Sequence, residues 1–236
     1  MRLIDEEYTR HPFYGSRKLV VWLRRQRYRV NRKRVQRLMR ALGLQDVAPG
    51  PATSQAHPAH TIYPYLLQAV AIEQIDHVWC NDITYIRLRH GFVYLVAIKD
   101  VYSRLVLSWQ LSTTMEAAFC TEALQQALGL RTPAIFNTDQ GNQFTSHQFI
   151  STLQQHGVAI SMDGKGRCWD NIVIERLWRS VKYEEVYLKH YETVDQARQG
   201  LNMYFQFYNT ERPHQSLGNY TPQAVYQGKS WATEKA

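Results

Sequence analysis

The chain has 236 residues, 44% of them hydrophobic, so it is long enough for two domains and can bury a substantial core. Its formal charge is +8, and residues 1–46 hold 13 of the 28 lysines and arginines against 4 of the 20 acids. This composition argues against disorder throughout the chain. The cationic end favours a polyanionic partner such as DNA, with a solvated basic helix as the ordinary alternative.

The amino-terminal region has the pattern of two helices joined by a short turn, over residues 16–43. In the second helix, Asn31 is a plausible N-cap, apolar residues recur at helical spacing from Val35, and Gly43 is a suitable stop. The opposite face of that helix is basic and carries Arg32, Lys33, Arg34, Arg37 and Arg40. This arrangement predicts DNA docking of the helix-turn-helix kind, either in a groove or on the phosphates.

Residues 46–64 are rich in Pro, Ala, Ser and His without periodicity, which predicts a linker. Beyond it, three β-branched and aromatic runs predict an antiparallel meander: Val78–Leu88, Phe92–Ile98 and Leu105–Leu111. The predicted elements that follow are a helix at 114–128, a strand at 133–138, a helix at 146–156, a strand at 158–161, and helices at 171–189 and 194–208. This order predicts an α/β fold with a mixed sheet flanked by helices.

The chain has no pattern typical of export or membrane insertion. It is charged from its second residue, and its longest apolar run, Phe92 to Ile98, is too short to cross a bilayer. Cys80, Cys120 and Cys168 form no CxxC pair, which favours buried thiols in a reducing compartment. These features predict a cytoplasmic protein without a membrane partner.

Three acids occupy positions where a carboxylate needs an explanation. Asp82 interrupts a segment with the pattern of a buried strand, where an unpaired charge is costly. Asp139 follows a buried-type strand, at the end where open α/β sheets usually bind ligands. Glu175 lies about 100° from the start of the apolar stripe of its helix. The ordinary alternatives are an edge residue facing water, a turn-forming Asp, and a surface ion pair between Glu175 and Arg179.

If the fold gathers these three carboxylates, they form an oxygen-rich site suited to Mg²⁺. Two such ions can activate an attacking oxygen and stabilise a leaving one in phosphoryl transfer. The acids therefore predict an enzyme that cuts or joins nucleic acid. Lys182 lies two helical turns beyond Glu175 on almost the same line, so we expect it to reach the DNA backbone.

Ordered segments along nearly the whole chain match one pattern. They are YGSRKLVVWLRRQRYRVNRKRVQRLMRALGL (14–44), YPYLL (63–67), WCNDITYIRL, DVYSRLVLSWQ, TDQGNQFTS, GKGRCWDNIVIERLWRSVKYEEVY, and YNTERPHQSLGNYTPQAVY (208–226). Together they resemble bacterial insertion-sequence transposases with a retroviral-integrase-type core, and more narrowly the second-frame product of elements with two overlapping frames.

The resemblance implies a ribonuclease-H-like fold in which Asp82, Asp139 and Glu175 are catalytic and bind two Mg²⁺ ions, for which Mn²⁺ can substitute. It implies cleavage at the element's ends and attack of the freed 3′-hydroxyls on another DNA strand. The implied partners are DNA ends, target DNA and further copies of the chain at the bacterial nucleoid. Because the chain starts close to the YGSRKL segment, whereas family members usually carry further residues before it, two alternatives stay open: a truncated amino terminus, or fusion to or partnership with an upstream first-frame product.

This interpretation divides the chain into a basic helical segment (1–45), a linker (46–72) and a catalytic domain (73–230). Asn142, Arg179 and Arg212 are weaker candidates for DNA contact, and packing of a structured tail is the favoured alternative for Arg212. The run Gly164–Gly166 is expected to become ordered only when DNA binds. Two other functions stay open: a non-catalytic DNA-binding fragment or regulator derived from such an element, and a structure-selective nuclease with the same fold.

Overall fold

A computed structural model describes residues 1–11, 14–44, 61–68, 70–163 and 172–229, except for the side chain of Ile172. The chain divides into two compact units, Met1–Gln55 and Ala56–Ala236. Most of the predicted linker (46–60 and residue 69), Cys168 and the run Gly164–Gly166 lie outside the described residues. None of the described helices is both long and apolar enough to cross a membrane.

Three helices form the described part of the first unit: α1 (Arg2–Arg10), α2 (Ser16–Arg25) and α3 (Arg32–Ala41). Their apolar faces meet in one small core of Ile4, Leu19, Val20, Leu23, Val35 and Met39. The predicted N-cap of α3 is confirmed, because the Asn31 side chain accepts a hydrogen bond from the Arg34 amide at 2.8 Å. Gly43 follows α3 with a φ of +68°, a conformation that glycine adopts without strain.

The second unit is built on a mixed five-stranded sheet with the order β3-β2-β1-β4-β5. Its strands are β1 (Val78–Arg87), β2 (Phe92–Asp100), β3 (Val106–Ser112), β4 (Ile135–Thr138) and β5 (Ala159–Met162). The first three pair antiparallel, as the sequence predicts, whereas β4 pairs parallel with both β1 and β5. The carboxyl ends of β1 and β4 therefore point the same way, which brings the positions after β4 near the middle of β1.

Alternation along the strands separates two cores, one on each face of the sheet. On one face Trp79, Val96 and Phe136 pack against α4 (Ala117–Leu128) and α5 (His147–Gln155). On the other face Cys80, Leu95 and Ala97 pack against α6 (Ile172–Val181) and against α8 (Val194–Thr210), which follows a short α7 (Tyr187–Lys189). A five-residue helix, α9 (Pro222–Tyr226), closes the described carboxyl-terminal part.

The segment predicted as one helix over residues 171–189 is interrupted. Between α6 and α7 the backbone forms a π-helical turn, Lys182–Val186. Within this turn, Glu185 is buried and accepts a hydrogen bond from the Tyr191 hydroxyl, while Glu184 forms an ion pair with Arg212. Helical periodicity cannot reveal such an insertion, because the contacts that stabilise it come from residues beyond the helix.

Residues 61–66 run along β5. The first four of them belong to the stretch 46–64 that the sequence predicts as a linker. The Leu66 amide donates to Ser161 Oγ at 3.0 Å, and the Tyr63 hydroxyl accepts from Gln154 at 2.9 Å. The Met162 amide donates to the Pro64 carbonyl at 3.4 Å. These contacts cover the edge of the sheet that β5 would otherwise expose.

Candidate active site

Asp82 lies in the middle of β1, with its side chain on the sheet face that packs against α6. Its Oδ1 accepts from the Ile83 amide at 2.7 Å, and its Oδ2 accepts from Trp178 Nε1 on α6 at 2.9 Å. The carboxylate is half-buried, so it is neither a free edge residue nor a fully enclosed charge. Each oxygen keeps acceptor capacity beyond the hydrogen bond described here.

Asp139 follows β4 directly, in the turn that leads to α5. Its Oδ1 accepts from the Gly141 amide at 2.8 Å. A Cβ atom at position 141 would lie 2.9 Å from that same oxygen, so a side chain there would displace the carboxylate from this hydrogen bond. The turn thus fixes the Asp139 carboxylate next to the central strand.

Glu175 lies in the first turn of α6 and is exposed. The neighbouring Ile174, Leu177 and Val181 are fully buried, which confirms the predicted apolar stripe over α6. The prediction that this stripe extends to Leu188 is wrong, because Leu188 lies beyond the π-helical turn and is 71% exposed. Glu175 stands on the flank of that stripe, on the side of the helix from which Trp178 reaches Asp82. Lys182 lies on the same flank and is half-buried at the start of the π-helical turn.

The charges of the three acids act on one another. Burial raises the pKa of Asp82 to about 6; the hydrogen bonds from Trp178 and Ile83 oppose this rise, and the negative charges of Asp139 and Glu175 add to it. Burial also raises the pKa of Asp139, against the hydrogen bond from Gly141. Half-buried carboxylates that repel each other are a donor set suited to a hard divalent cation, which would offset both the repulsion and the desolvation.

The fold brings the acids into electrostatic range but not into one coordination sphere. Among the described residues, no three His, Cys, Asp or Glu side chains are placed to hold a single metal ion. Asp82 and Asp139 are anchored by hydrogen bonds, whereas Glu175 is exposed close to the end of the described part of α6. The assignment of all three as metal ligands therefore stays a prediction.

The residues predicted to contact DNA fall into separate groups. On α3, the five basic side chains are all exposed: Arg32, Lys33, Arg34, Arg37 and Arg40. Asn142 is exposed next to the Asp139 turn. The Arg179 guanidinium lies over the Tyr183 ring at 5.9 Å, and Arg212 forms an ion pair with Glu184 at 2.6 Å. Arg212 thus has the packing role that the sequence favoured, and its contact with DNA stays a prediction.

Trp178 has a role at Asp82 that the sequence does not reveal. As an apolar residue on α6 it has the spacing of a core position, and it is only 6% exposed. Its ring nitrogen nevertheless donates to a residue 96 positions earlier. Because a hydrogen bond to a charged group contributes more than one between neutral groups, Trp178 positions and stabilises the ionised Asp82.

If the chain catalyses the DNA strand transfer that its sequence resemblance implies, we expect Trp178→Phe to lower that activity about 10-fold, since a charge-assisted hydrogen bond is worth roughly 1.5–3 kcal/mol and part of it is replaced by water. Loss of the N–H donor raises the pKa of Asp82 further, so the acidic limb of the pH–activity profile moves to higher pH. Trp109→Phe, on β3 against Phe205, is the matched control. An unmoved acidic limb would contradict the positioning role.

The strand order, the flanking helices and the acids on β1, after β4 and on α6 define the integrase class of the ribonuclease-H-like fold. In agreement, two matches to the integrase core domain family cover residues 73–168 and 156–222, and an HTH-like domain matches residues 1–51. The catalytic core of HTLV-2 integrase, solved with magnesium, aligns over 66% of this chain and 99% of its own, with a TM-score of 0.54 and 18% identity. A simian T-cell lymphotropic virus intasome chain aligns over 92% of this chain and 76% of its own, with a TM-score of 0.59 and 16% identity.

Curated relatives narrow this class. The transposase for insertion sequence element IS904 of Lactococcus lactis is 34% identical over 89% of this chain and 85% of its own length. The transposase InsF for insertion sequence IS3A of Escherichia coli is 32% identical over 89% of this chain and 75% of its own. The chain belongs to the insertion-sequence transposases with an integrase core, and the resemblance read from its motifs is confirmed.

Proposed function

We propose that this transposase is a divalent-metal-dependent DNA strand transferase. It cleaves the ends of its element and joins the freed 3′-hydroxyls to another DNA strand, with Asp82, Asp139 and Glu175 as its catalytic acids. The observation that carries the proposal is the half-buried Asp82 carboxylate, whose pKa rises to about 6 with contributions from the charges of the other two acids. A fold gains nothing in stability from such an arrangement, so a functional cation is the best explanation.

The side chains have distinct tasks in this proposal. Asp82 and Asp139, each fixed by a backbone N–H, would hold two Mg²⁺ ions, or Mn²⁺ in their place, with Glu175 completing the donor set. When bound, such ions supply activation of the attacking oxygen and stabilisation of the leaving oxygen. Trp178 keeps Asp82 ionised and oriented. Lys182, on the flank of Glu175, would contact a phosphate of the reacting strand.

The proposed partners follow from charge and from the family. The exposed basic face of α3 supplies a surface for a DNA duplex, and Asn142 and Arg179 are exposed where the second unit could meet a strand. We propose that the chain acts as a homo-oligomer that pairs two DNA ends, at the bacterial nucleoid, with or without an upstream first-frame product. The Gly164–Gly166 run would become ordered on the bound DNA.

The test is a strand-transfer assay with the purified full chain, Mg²⁺ and duplexes that carry the terminal repeats flanking its own gene. Joined products, absent in EDTA, are the expected result. Hydrolysis without joining would identify a nuclease with this fold. Duplex binding with neither product, also after fusion to the upstream first-frame segment, would favour a non-catalytic regulator and reject the proposal.

A further inference from the structure

A strongly cationic pocket of about 540 Å³ lies beside α6, on the flank away from Glu175. Its basic side chains come from the end of β2, the loop that follows, α6 and the segment after α8: Lys99, Arg104, Arg176, Arg179, Arg212 and His214. Within the described part of the chain, none of the residues that line it is acidic. The pocket therefore concentrates positive charge in a concave site, which favours an anion.

Lys99 forms the floor of the pocket and is only 2% exposed. Its Nζ donates to the Tyr208 hydroxyl at 3.0 Å and to the Val173 carbonyl at 3.3 Å. No ion pair joins it to an acid among the described residues. Burial, together with the charges of Arg104 and Arg212, lowers the pKa of Lys99 to about 7, while Cys80 and Asp100 oppose this shift. A buried lysine without a counter-ion is rare, because its charge is usually paired.

Two further side chains have polar atoms that lack partners. Arg104 Nη1 and His214 Nε2 are shielded from solvent and form no hydrogen bond in the described structure. His214 is 8% exposed and packs edge-on against the Tyr208 ring at 4.7 Å. Burial and the charges of Arg212 and Lys99 lower the pKa of His214 to about 4, so its imidazole is neutral near pH 7 and is not the donor for an anion. The buried donor without an acceptor is Arg104 Nη1, and an oxyanion in the pocket would supply that acceptor.

The nearest acids are already engaged, Asp100 outside the pocket and Glu184 with Arg212, whose charge it neutralises. Asp100 accepts hydrogen bonds from the Ser103 amide, the Ser103 hydroxyl and the Asp76 amide. Glu184 is held by Arg212 and by the Tyr204 hydroxyl. Arg104 and Arg176 consequently keep charge that no ion pair among the described residues neutralises, and an anion in the pocket would favour the charged form of Lys99.

The pocket is separate from the three acids. At about 100° per residue, Val173, Arg176 and Ser180 lie about 100–160° around α6 from Glu175. Trp178 points toward Asp82, whereas these three residues line the pocket. Arg179 also lines the pocket and lies only about 40° from Glu175, so it stands between the acidic flank of the helix and the basic one.

We propose that this pocket binds a phosphate group. Arginine guanidinium groups match phosphate oxygens in a planar fork, and the lysine adds a point charge at the floor. The phosphate comes either from the backbone of a DNA strand lying along the outer flank of α6 or from a free phosphate compound. Only the first source rests on the proposed function, and in that case the pocket holds DNA at a distance from the reacting bond.

Arg176→Gln tests the pocket at an exposed position, where we expect the fold to persist, and Arg104→Gln tests its buried wall. Arg198→Gln, an exposed charge on α8 outside the pocket, is the matched control. Calorimetric titration of the full chain in EDTA with inorganic phosphate and with pyrophosphate measures the free source. Fluorescence anisotropy of a labelled duplex, at salt concentrations from about 50 to about 200 mM, measures binding to the DNA backbone and its salt dependence.

We expect both pocket variants to bind at least one probe about 10-fold more weakly than the wild type and than Arg198→Gln. If the source is DNA, the slope of log K against log salt becomes less steep by about 0.9 for each arginine removed. If the source is a free phosphate compound, only the calorimetric affinity falls.

Equal binding of phosphate, pyrophosphate and DNA by the wild type, Arg176→Gln and Arg104→Gln would overturn the pocket. Strand transfer measured on the same preparations separates the two proposals. If DNA ends are joined normally but the pocket variants bind every probe like the wild type, only the phosphate-pocket proposal is rejected. If the wild type binds phosphate but joins no DNA ends, only the strand-transferase proposal is rejected.

Discussion

Replacing Asp139 with asparagine reduces metal-dependent strand transfer by about 10³-fold or more, while the fold and DNA binding persist. Asn has nearly the same shape as Asp, and its carbonyl oxygen can still accept from the Gly141 amide, so the turn after β4 is preserved. What the variant loses is one negative charge at the proposed cation site. Loss of about 4 kcal/mol of transition-state stabilisation corresponds to this factor.

The measurement is the yield of joined ends per unit time with Mg²⁺, together with duplex affinity and the thermal unfolding midpoint of each protein. Asp195→Asn, an exposed acid in the first turn of α8, is the matched control and should join ends at the wild-type rate. Equal joining by the wild type and Asp139→Asn would remove Asp139 from the reaction and, with it, the assignment of the three acids.

The strands and most helices of the second unit could be predicted because their signals are local. Three β-branched and aromatic runs separated by short turns can hardly form anything except a meander, and β1 to β3 begin and end within two residues of the prediction. Helix α1 was not predicted, since its nine residues carry few apolar side chains and only Ile4 and Glu7 are buried. The π-helical turn after α6 depends on Tyr191 and Arg212, which lie beyond it in the chain.

The candidate site could be predicted only in part, for a similar reason. Asp82 and Asp139 are recognisable because a carboxylate inside a strand, or directly after one, conflicts with local preference. The contact from Trp178 to Asp82 and the unpaired burial of Lys99 depend on which elements the sheet brings together. Periodicity assigns Trp178 to the core, which is correct for its ring and uninformative about its N–H group.

The second large effect concerns the free energy of unfolding, which should fall when Asp82 ionises and no cation is bound. The folded-state pKa of Asp82 is about 6, above its ordinary value of 3.8. A carboxyl with a raised pKa favours the protonated form in the folded state, so its contribution to stability is fully present below pH 3.8 and is lost as pH rises through 6. In EDTA, ionisation of Asp82 should therefore destabilise the wild type by on the order of 2 kcal/mol between pH 4 and pH 8, less than the full shift implies because water reaches part of the carboxylate.

Asp82→Asn removes this dependence. The variant loses one of two hydrogen bonds, to Ile83 or to Trp178, because asparagine offers one acceptor oxygen where the carboxylate has two. Because asparagine does not titrate, the hydrogen bonding of the variant is the same at pH 4 and pH 8. The change with pH in the difference between variant and wild type therefore reports the ionisation of Asp82 in the wild type. In urea denaturation with EDTA, the unfolding free energy of the variant relative to that of the wild type should be about 2 kcal/mol higher at pH 8 than at pH 4. Glu122→Gln, an exposed acid on α4, is the control.

Addition of Mg²⁺ at pH 8 then separates a cation site from a merely strained carboxylate. Since a ligand that binds only the folded state stabilises it by mass action, Mg²⁺ should raise the unfolding free energy of the wild type and of Glu122→Gln but not of Asp82→Asn. An equal response of all three proteins to Mg²⁺ would mean that the Asp82 carboxylate holds no cation. The raised pKa would then reflect burial alone, and the case for metal-dependent joining at this position would fail without any measurement of activity.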